Sequence, residues 1–163
     1  MRIGIDIDDT LTDIKDKLTN AAVEYAKSLN KYNENTDLEI NDKYNDGNIY
    51  QKMFGFNYEE LKHFLGPIQE GITNNALPRK DCANIIKKLH NEGNEIYIIT
   101  ARGSGKDQDT LGLDETKFVT EVWLNRNGIY PNKILFTDHG KLEVCLENNI
   151  DLMIDDMPKN LLD

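Results

Sequence analysis

Carboxylates follow short apolar segments near both ends of this chain. Asp6 and Asp8 come after Ile3-Gly4-Ile5, and Asp155-Asp156 comes after Leu152-Met153-Ile154. Because Asp6 and Asp8 are two residues apart, their side chains would face the same side of an extended strand. Paired carboxylates can serve as nucleophile and general acid–base, and they can also hold a divalent cation. Taken singly, the same residues equally suit helix caps and turns.

Two more polar positions extend this pattern. Thr100 ends an apolar run and is followed closely by Arg102, and Lys141 opens a helix after Gly140. Read alone, Thr100 is a strand-end hydroxyl and Lys141 a solvated lysine. In open α/β sheets, however, ligands bind outside the carboxyl ends of the strands, where all these positions would meet.

A cleft that gathers four carboxylates requires a cation. Two unit charges 4 Å apart repel by roughly 4 kcal/mol at an effective dielectric of 20. Oxygen ligands without His or Cys favour Mg²⁺, which commonly binds carboxylates together with a substrate phosphate. Lys141 and Arg102 would supply further positive charge. The residues therefore predict a Mg²⁺ site that handles a phosphate.

Strand and helix patterns alternate along the chain around these residues. This order predicts an α/β fold with a doubly wound, Rossmann-like parallel sheet. The predicted strands are 3–5, 95–100, 134–136 and 152–154. The helix that ends before Gly128 carries Phe118, Val122 and Trp123 as its apolar positions.

A mostly helical insertion interrupts this pattern after the first strand. We predict an α/β core formed by 1–16 and 79–163, and a small helical cap formed by 17–78. Within the cap, Asn57 and Glu60 predict a capping box, and Gly66-Pro67 predicts the end of that helix. Most of the cap aromatics are expected to form its own core, and Tyr44, in polar surroundings, is the candidate contact to a nucleobase.

Composition and charge exclude several classes of protein. The 163 residues include 39% hydrophobic and 29% charged side chains, and the net charge is −10. Such acidity disfavours binding to nucleic-acid polymers or membrane surfaces. Cys82 and Cys145 have neither zinc nor disulfide spacing, and Met1-Arg2 does not open a signal peptide, so we expect a cytoplasmic protein. Gly103-Ser104-Gly105-Lys106 lacks the spacing of a phosphate-binding P-loop.

These motifs, in this order, resemble those of the haloacid dehalogenase-like hydrolases. Asp6-Ile7-Asp8-Asp9-Thr10 resembles the family's first motif, DxDx[TV], and Thr100 resembles its second. Lys141 resembles the third motif, and Asp155-Asp156 after an apolar strand resembles the fourth. The resemblance covers nearly the whole chain.

Three stretches resemble one branch of that family more narrowly. They are similar to the 5′-nucleotidase and 5′(3′)-deoxyribonucleotidase-like proteins, and comprise Ile99-Thr100-Ala101-Arg102, Trp123-Leu124, and residues 154–160. The resemblance implies a cytoplasmic phosphatase of (deoxy)nucleoside 5′-monophosphates, with a cap that closes over the site and selects the leaving group. It leaves the oligomeric state open, a homodimer included.

The resemblance also implies a role for each catalytic residue. Asp6 would attack phosphorus to form an aspartyl-phosphate. Asp8 would protonate the leaving alcohol and then activate the water that hydrolyses this intermediate. Thr100 and Lys141 would hold the phosphoryl oxygens.

Metal and substrate contacts follow from the same resemblance. Mg²⁺ would be bound by the Asp6 carboxylate, the Asp8 backbone carbonyl and Asp155, with Asp156 outside the direct ligands. The residues beside the motifs would contact substrate, namely Asp9, Thr10, Ala101 and Arg102.

Three alternatives remain at this stage. The same mechanism could act on a sugar phosphate or another small metabolite. The chain could instead bind nucleotides without catalysis. A signalling receiver domain also uses an acidic pocket with Thr and Lys, but it normally lacks a cap and places its phosphorylated Asp on a middle strand.

Overall fold

The computed structural model describes residues 1–38, 48–103, 111–137, 140–157 and 160. These separate into two compact units, one formed by Met1–Asp13 with Leu77–Asp163 and the other by Ile14–Ala76. The boundaries thus lie two or three residues before those expected from sequence. Tyr44 and most of the loop that begins at Gly103 lie outside the described residues.

The first unit is built on a parallel four-stranded sheet. Its strands are β1 (Arg2–Ile5), β2 (Glu95–Thr100), β3 (Lys133–Phe136) and β4 (Leu152–Ile154). They are arranged β3-β2-β1-β4, and each neighbouring pair is parallel. The helices α5 (Cys82–Asn91), α6 (Leu111–Arg126) and α7 (Lys141–Glu147) connect them. The predicted α/β class is confirmed.

One face of this sheet carries the core of the unit. Ile3 pairs with Ile96 and Ile5 with Ile98, and these four side chains are buried together with Trp123 of α6. Apolar residues on both faces of a strand are typical of parallel sheets covered by helices.

Gly4 occupies the opposite face, where β1 comes close to its neighbours. A Cβ atom at this position would lie 2.8 Å from Met153 Sδ and 2.9 Å from Ile99 Cδ1. A larger residue here would require the Met153 and Ile99 side chains to shift, so glycine leaves room for both of them on this face.

Helix α6 buries a different face from the one expected. Trp123 is buried as predicted, but Phe118 and Val122 are exposed, and Thr120 is buried instead. At about 100° per residue, Phe118 and Val122 lie on the side of the helix opposite Thr120. Only the stripe that includes Trp123 meets the sheet core.

The second unit is helical and has its own aromatic core. It contains α1 (Lys15–Ser28), α2 (Ile49–Phe54), α3 (Tyr58–His63), a π-helical segment (Phe64–Gln69) and α4 (Glu70–Asn74). Phe54, Phe56 and Phe64 are buried as expected, whereas Tyr58 is exposed.

The start of α3 agrees with the sequence, but its end does not. Asn57 and Glu60 form the predicted capping box, with both hydrogen bonds present. Gly66-Pro67 was expected to end the helix, and that prediction was wrong, since the chain continues as a π-helical segment into α4. Proline lacks an amide donor and clashes with the carbonyl four residues earlier, and the wider π turn accommodates it.

Two further findings concern covalent links and membranes. Both cysteines are free thiols. Among the described residues, no helix has the length and apolar character needed to cross a bilayer.

Candidate active site at the carboxyl edge of the sheet

The strand order creates a switch point between β1 and β4. From β1 the chain moves to β2 and β3 on one side, and it then returns to β4 on the other side. Crevices at such points, outside the carboxyl ends of the strands, are the usual ligand sites of open α/β sheets. Asp6 follows β1 here, and its amide donates to the Ile154 carbonyl at 3.0 Å. Asp155 follows β4 directly.

Lys141 joins these two carboxylates. Its Nζ donates to Asp6 Oδ1 at 2.5 Å and to Asp155 Oδ2 at 2.6 Å. The three side chains are only 8% (Asp6), 6% (Lys141) and 0% (Asp155) exposed. Lys141 is therefore buried between charges, and the reading of a solvated lysine at the start of α7 is wrong.

Burial changes the protonation of this group. It raises the pKa of Asp6 to about 7, against the lowering effect of Lys141, while Asp155 and Asp8 raise it further. For Lys141, burial lowers the pKa, but the charges and hydrogen bonds of Asp6 and Asp155 outweigh it and hold that pKa above its ordinary value. Near neutral pH Asp6 is thus close to its protonation midpoint, where added positive charge would favour the carboxylate.

A third carboxylate completes an acidic cluster. Ligand atoms of Asp6, Asp155 and Asp156 all lie within 4.8 Å of one another. Burial raises the pKa of Asp156, and the charges of Asp155 and Asp9 add to that effect. Thr10 Oγ1 accepts the Asp156 amide at 3.1 Å, which ties the end of β4 to the segment after β1.

The cluster suits a hard divalent cation. All its donors are carboxylate oxygens, as Mg²⁺ prefers, and the Lys141 ammonium already lies against two of them. Asp156 was not expected to bind the metal directly, but its carboxylate lies in this cluster with those of Asp6 and Asp155. A contribution from the Asp8 carbonyl stays a prediction.

Asp155 is further oriented by its own surroundings. Its Oδ1 accepts the Met157 amide and Asn160 Nδ2, both at 2.9 Å, while its Oδ2 faces Lys141. Both carboxylate oxygens are therefore held. No sequence pattern indicated this role of Asn160.

The Asp8 carboxylate points to a different partner from that of Asp6. Arg102 donates Nε to Asp8 Oδ2 at 2.8 Å and Nη2 to Asp8 Oδ1 at 2.6 Å. The Arg102 amide lies 3.2 Å from Thr100 Oγ1, and Thr100 itself is buried. Ala101 is exposed between them. The ends of β1 and β2 are thus linked through Arg102.

The segment between Asp8 and Asp13 is held by residues that the motif pattern did not reveal. Asp9 adopts a φ of 63°, a left-handed conformation, and its amide donates to Thr12 Oγ1 at 3.0 Å. Arg79 donates to the carbonyls of Asp9 at 2.9 Å and Thr10 at 3.2 Å. Only its place just after the insertion could have drawn attention to Arg79, because its partners lie about 70 residues away.

The predicted site residues of the first unit therefore assemble in two groups. Asp6, Lys141 and Asp155 form one, and Asp8 with Arg102 forms the other. Two of the predicted substrate contacts have partners within the protein. The Thr10 hydroxyl accepts a hydrogen bond from the Asp156 amide, and the Asp9 carboxylate lies 3.6 Å from Arg79 Nη2.

Known proteins resemble this chain in sequence and in fold. No family model matches the chain. A Bacillus cereus protein named "Putative nucleotidase" is 26% identical to this chain, over 97% of this chain and 77% of that protein. The crystal structure of a hydrolase from Streptococcus pneumoniae TIGR4 superposes with a TM-score of 0.53 at 14% identity, over 98% of this chain and 84% of the other. The structural likeness supports the α/β fold.

Proposed function

We propose that this chain is a Mg²⁺-dependent phosphatase of small phosphomonoesters that acts on (deoxy)nucleoside 5′-monophosphates. The observation that carries the proposal is the buried Asp6 carboxylate, 2.5 Å from Lys141 Nζ, at the switch point of a parallel sheet. The similarity to a protein named as a nucleotidase supports a hydrolase, and the motifs shared with haloacid dehalogenase-like hydrolases support phosphoryl transfer.

The reaction proceeds in two displacements. An Asp6 oxygen attacks phosphorus while the bond to the leaving oxygen breaks, and Asp8 gives that oxygen a proton. Asp8 then takes a proton from water, whose oxygen attacks the aspartyl-phosphate and releases inorganic phosphate and the Asp6 carboxylate. Dividing the hydrolysis in this way lets one carboxylate act as nucleophile and its neighbour as acid and base.

Lys141 and Thr100 hold the phosphoryl oxygens during both steps. The buried Lys141 ammonium stabilises a developing negative charge more strongly than an exposed lysine would, because little water screens it. Asp6, Asp155 and Asp156 would hold Mg²⁺, which when bound supplies positive charge that offsets both the carboxylates and the phosphoryl group.

The test is phosphate release from a panel of ribo- and deoxynucleoside monophosphates, sugar phosphates and p-nitrophenyl phosphate. Release should require Mg²⁺, stop with EDTA and vanish in Asp6→Asn and Asp8→Asn, while both variants keep the melting behaviour of a folded protein. Asp114→Asn makes the same change at an exposed position of α6 and should leave release unchanged.

Each other outcome has a distinct meaning. A preference for sugar phosphates would keep the mechanism and replace the substrate. Metal-dependent nucleotide binding without release from any substrate, by a folded protein, would favour the non-catalytic reading. Full activity in Asp6→Asn would refute the assigned nucleophile.

A further inference from the structure

Arg102 binds the Asp8 carboxylate with two parallel hydrogen bonds. Nε and Nη2 meet Oδ2 and Oδ1 at 2.8 and 2.6 Å, so each carboxylate oxygen has its own donor. A planar guanidinium fork that engages both oxygens fixes the rotation of a carboxylate as well as its position. A single contact to a lysine would leave that rotation open.

Arg102 is itself held on other sides. Its guanidinium carbon lies 5.5 Å from the centre of the Trp123 ring, and Trp123 is 2% exposed. The Arg102 side chain is only 6% exposed. Moving it would expose the aromatic face and separate a shielded ion pair, and both changes carry a cost.

We propose that Arg102 is the positioning residue of Asp8, and that the guanidinium edge formed by Nε and Nη2 serves Asp8 rather than the substrate phosphate. The edge of the guanidinium formed by Nε and Nη2 is taken up by Asp8, so it is not presented to a phosphoryl group. A general base must lie within about 2.6–3.2 Å of the group whose proton it takes, and Arg102 holds the Asp8 carboxylate in one orientation for accepting the proton of the attacking water. The inference rests on the proposed phosphatase activity.

The first arm of the test separates turnover from binding. Arg102→Lys keeps the charge and removes the planar fork, so kcat should fall about tenfold or more while KM changes by less than about threefold. Arg126→Lys makes the same replacement at the exposed end of α6 and should change neither value. An increase in KM with kcat preserved would overturn the proposal, because a substrate ligand would then have been weakened.

The second arm uses the single tryptophan of the chain as a reporter. Because Arg102 lies over the Trp123 ring, wild type and Arg102→Lys should differ in tryptophan emission. Inorganic phosphate, at ten times the concentration that half-inhibits the enzyme, should leave the wild-type emission unchanged. A phosphate-induced change in wild type that is absent from Arg102→Lys would mean that Arg102 leaves Asp8 for the phosphate, and the proposal would be wrong.

These arms distinguish failure of the inference from failure of the proposed function. If wild type releases no phosphate from any substrate in the panel, the phosphatase proposal fails and the role of Arg102 fails with it. If wild type is active and either arm gives the contrary result, only the role of Arg102 is refuted. Should Arg102→Lys not fold, the phosphate titration of wild type decides alone: unchanged emission supports the proposal, and a phosphate-induced change refutes it.

Discussion

Two lysines in the two units hold a carboxylate at the same distance, and yet the two pairs differ in their electrostatics. Lys141 Nζ is 2.5 Å from Asp6 in the α/β unit, and Lys31 Nζ is 2.5 Å from Glu60 in the helical unit. Burial raises the pKa of Asp6 to about 7 despite its lysine. The hydrogen bond from Lys31, with one from the Asn57 amide, lowers the pKa of Glu60.

Exposure to water explains this difference. The Lys141 and Asp6 side chains are 6% and 8% exposed, whereas those of Lys31 and Glu60 are 29% and 19% exposed. In the first pair, lost hydration outweighs the attraction to one lysine that is shared between two carboxylates. Water still solvates the second pair, so the lysine simply favours the carboxylate.

The two pairs therefore serve different purposes. Lys31 also donates to the Gly55 carbonyl at 2.9 Å, and Glu60 caps α3, so this pair joins the ends of neighbouring helices. Lys141, Asp6 and Asp155 instead bring buried charges together at the ends of two strands, and these charges lose favourable hydration there. A buried carboxylate with a strongly shifted pKa in a cleft is typical of a functional site.

The largest effect in this comparison is expected from removing the buried ammonium. Lys141→Met should lower phosphate release by about 10²–10³-fold, the usual loss for one group that stabilises transition-state charge. It should also destabilise the protein by about 3–5 kcal/mol at pH 8, because two buried carboxylates lose their partner. Phosphate assays and urea denaturation measure the two effects, and unchanged values in both would refute the role given to Lys141.

An intermediate effect is expected from pH acting on Asp6. Because its folded pKa lies near 7 and its unfolded pKa near 3.8, the folded state binds this proton more tightly between those values. Stability from this group is therefore present below about pH 4 and is lost as the pH rises through about 7. Metal-free Asp6→Asn should match wild type near pH 4 and exceed it by up to about 4 kcal/mol at pH 8.

Urea denaturation in EDTA at several pH values checks this difference. Subtracting wild type from the Asn variant at each pH removes the contributions of the carboxylates that do not interact with Asp6. A difference that stays constant, or that shrinks as the pH rises, would contradict the raised pKa of Asp6.

The smallest effect is expected at the half-buried pair in the helical unit. Lys31→Met replaces the same residue type with the same apolar side chain, but its partner remains partly solvated. Its destabilisation should be well below that of Lys141→Met, because an ion pair that water partly solvates contributes less than a fully buried one. Phosphate release should stay at the wild-type level. Equal losses of stability in the two variants would mean that burial does not distinguish the pairs.

Much of the first unit could be predicted from local patterns. The run Glu95–Thr100 is apolar over most of its length, and its predicted bounds match β2. Strand–helix alternation predicts parallel strands, and parallel strands bring Asp6, Thr100 and Asp155 to one edge. The capping box of α3 was equally local, because Asn57 and Glu60 are three residues apart.

The errors came from contacts that no local pattern contains. Helix α6 has several apolar residues, and which side is buried depends on the strands beneath it. At Pro67 the local rule predicted a helix end, whereas the structure continues through a π-helical segment. No motif around Arg79 indicated its contacts, because the residues that it binds follow β1, far away in the chain.

The order of the elements and the placement of acidic, hydroxyl and basic residues at strand ends can be predicted from sequence, because they depend on short-range periodicity and turn chemistry. Which cation contacts which carboxylate depends on how the chain folds. Lys141 joins Asp6 across 135 positions and Arg102 joins Asp8 across 94. The fold also determines the raised pKa of Asp6, because the burial that causes it comes from packing residues that are distant in sequence.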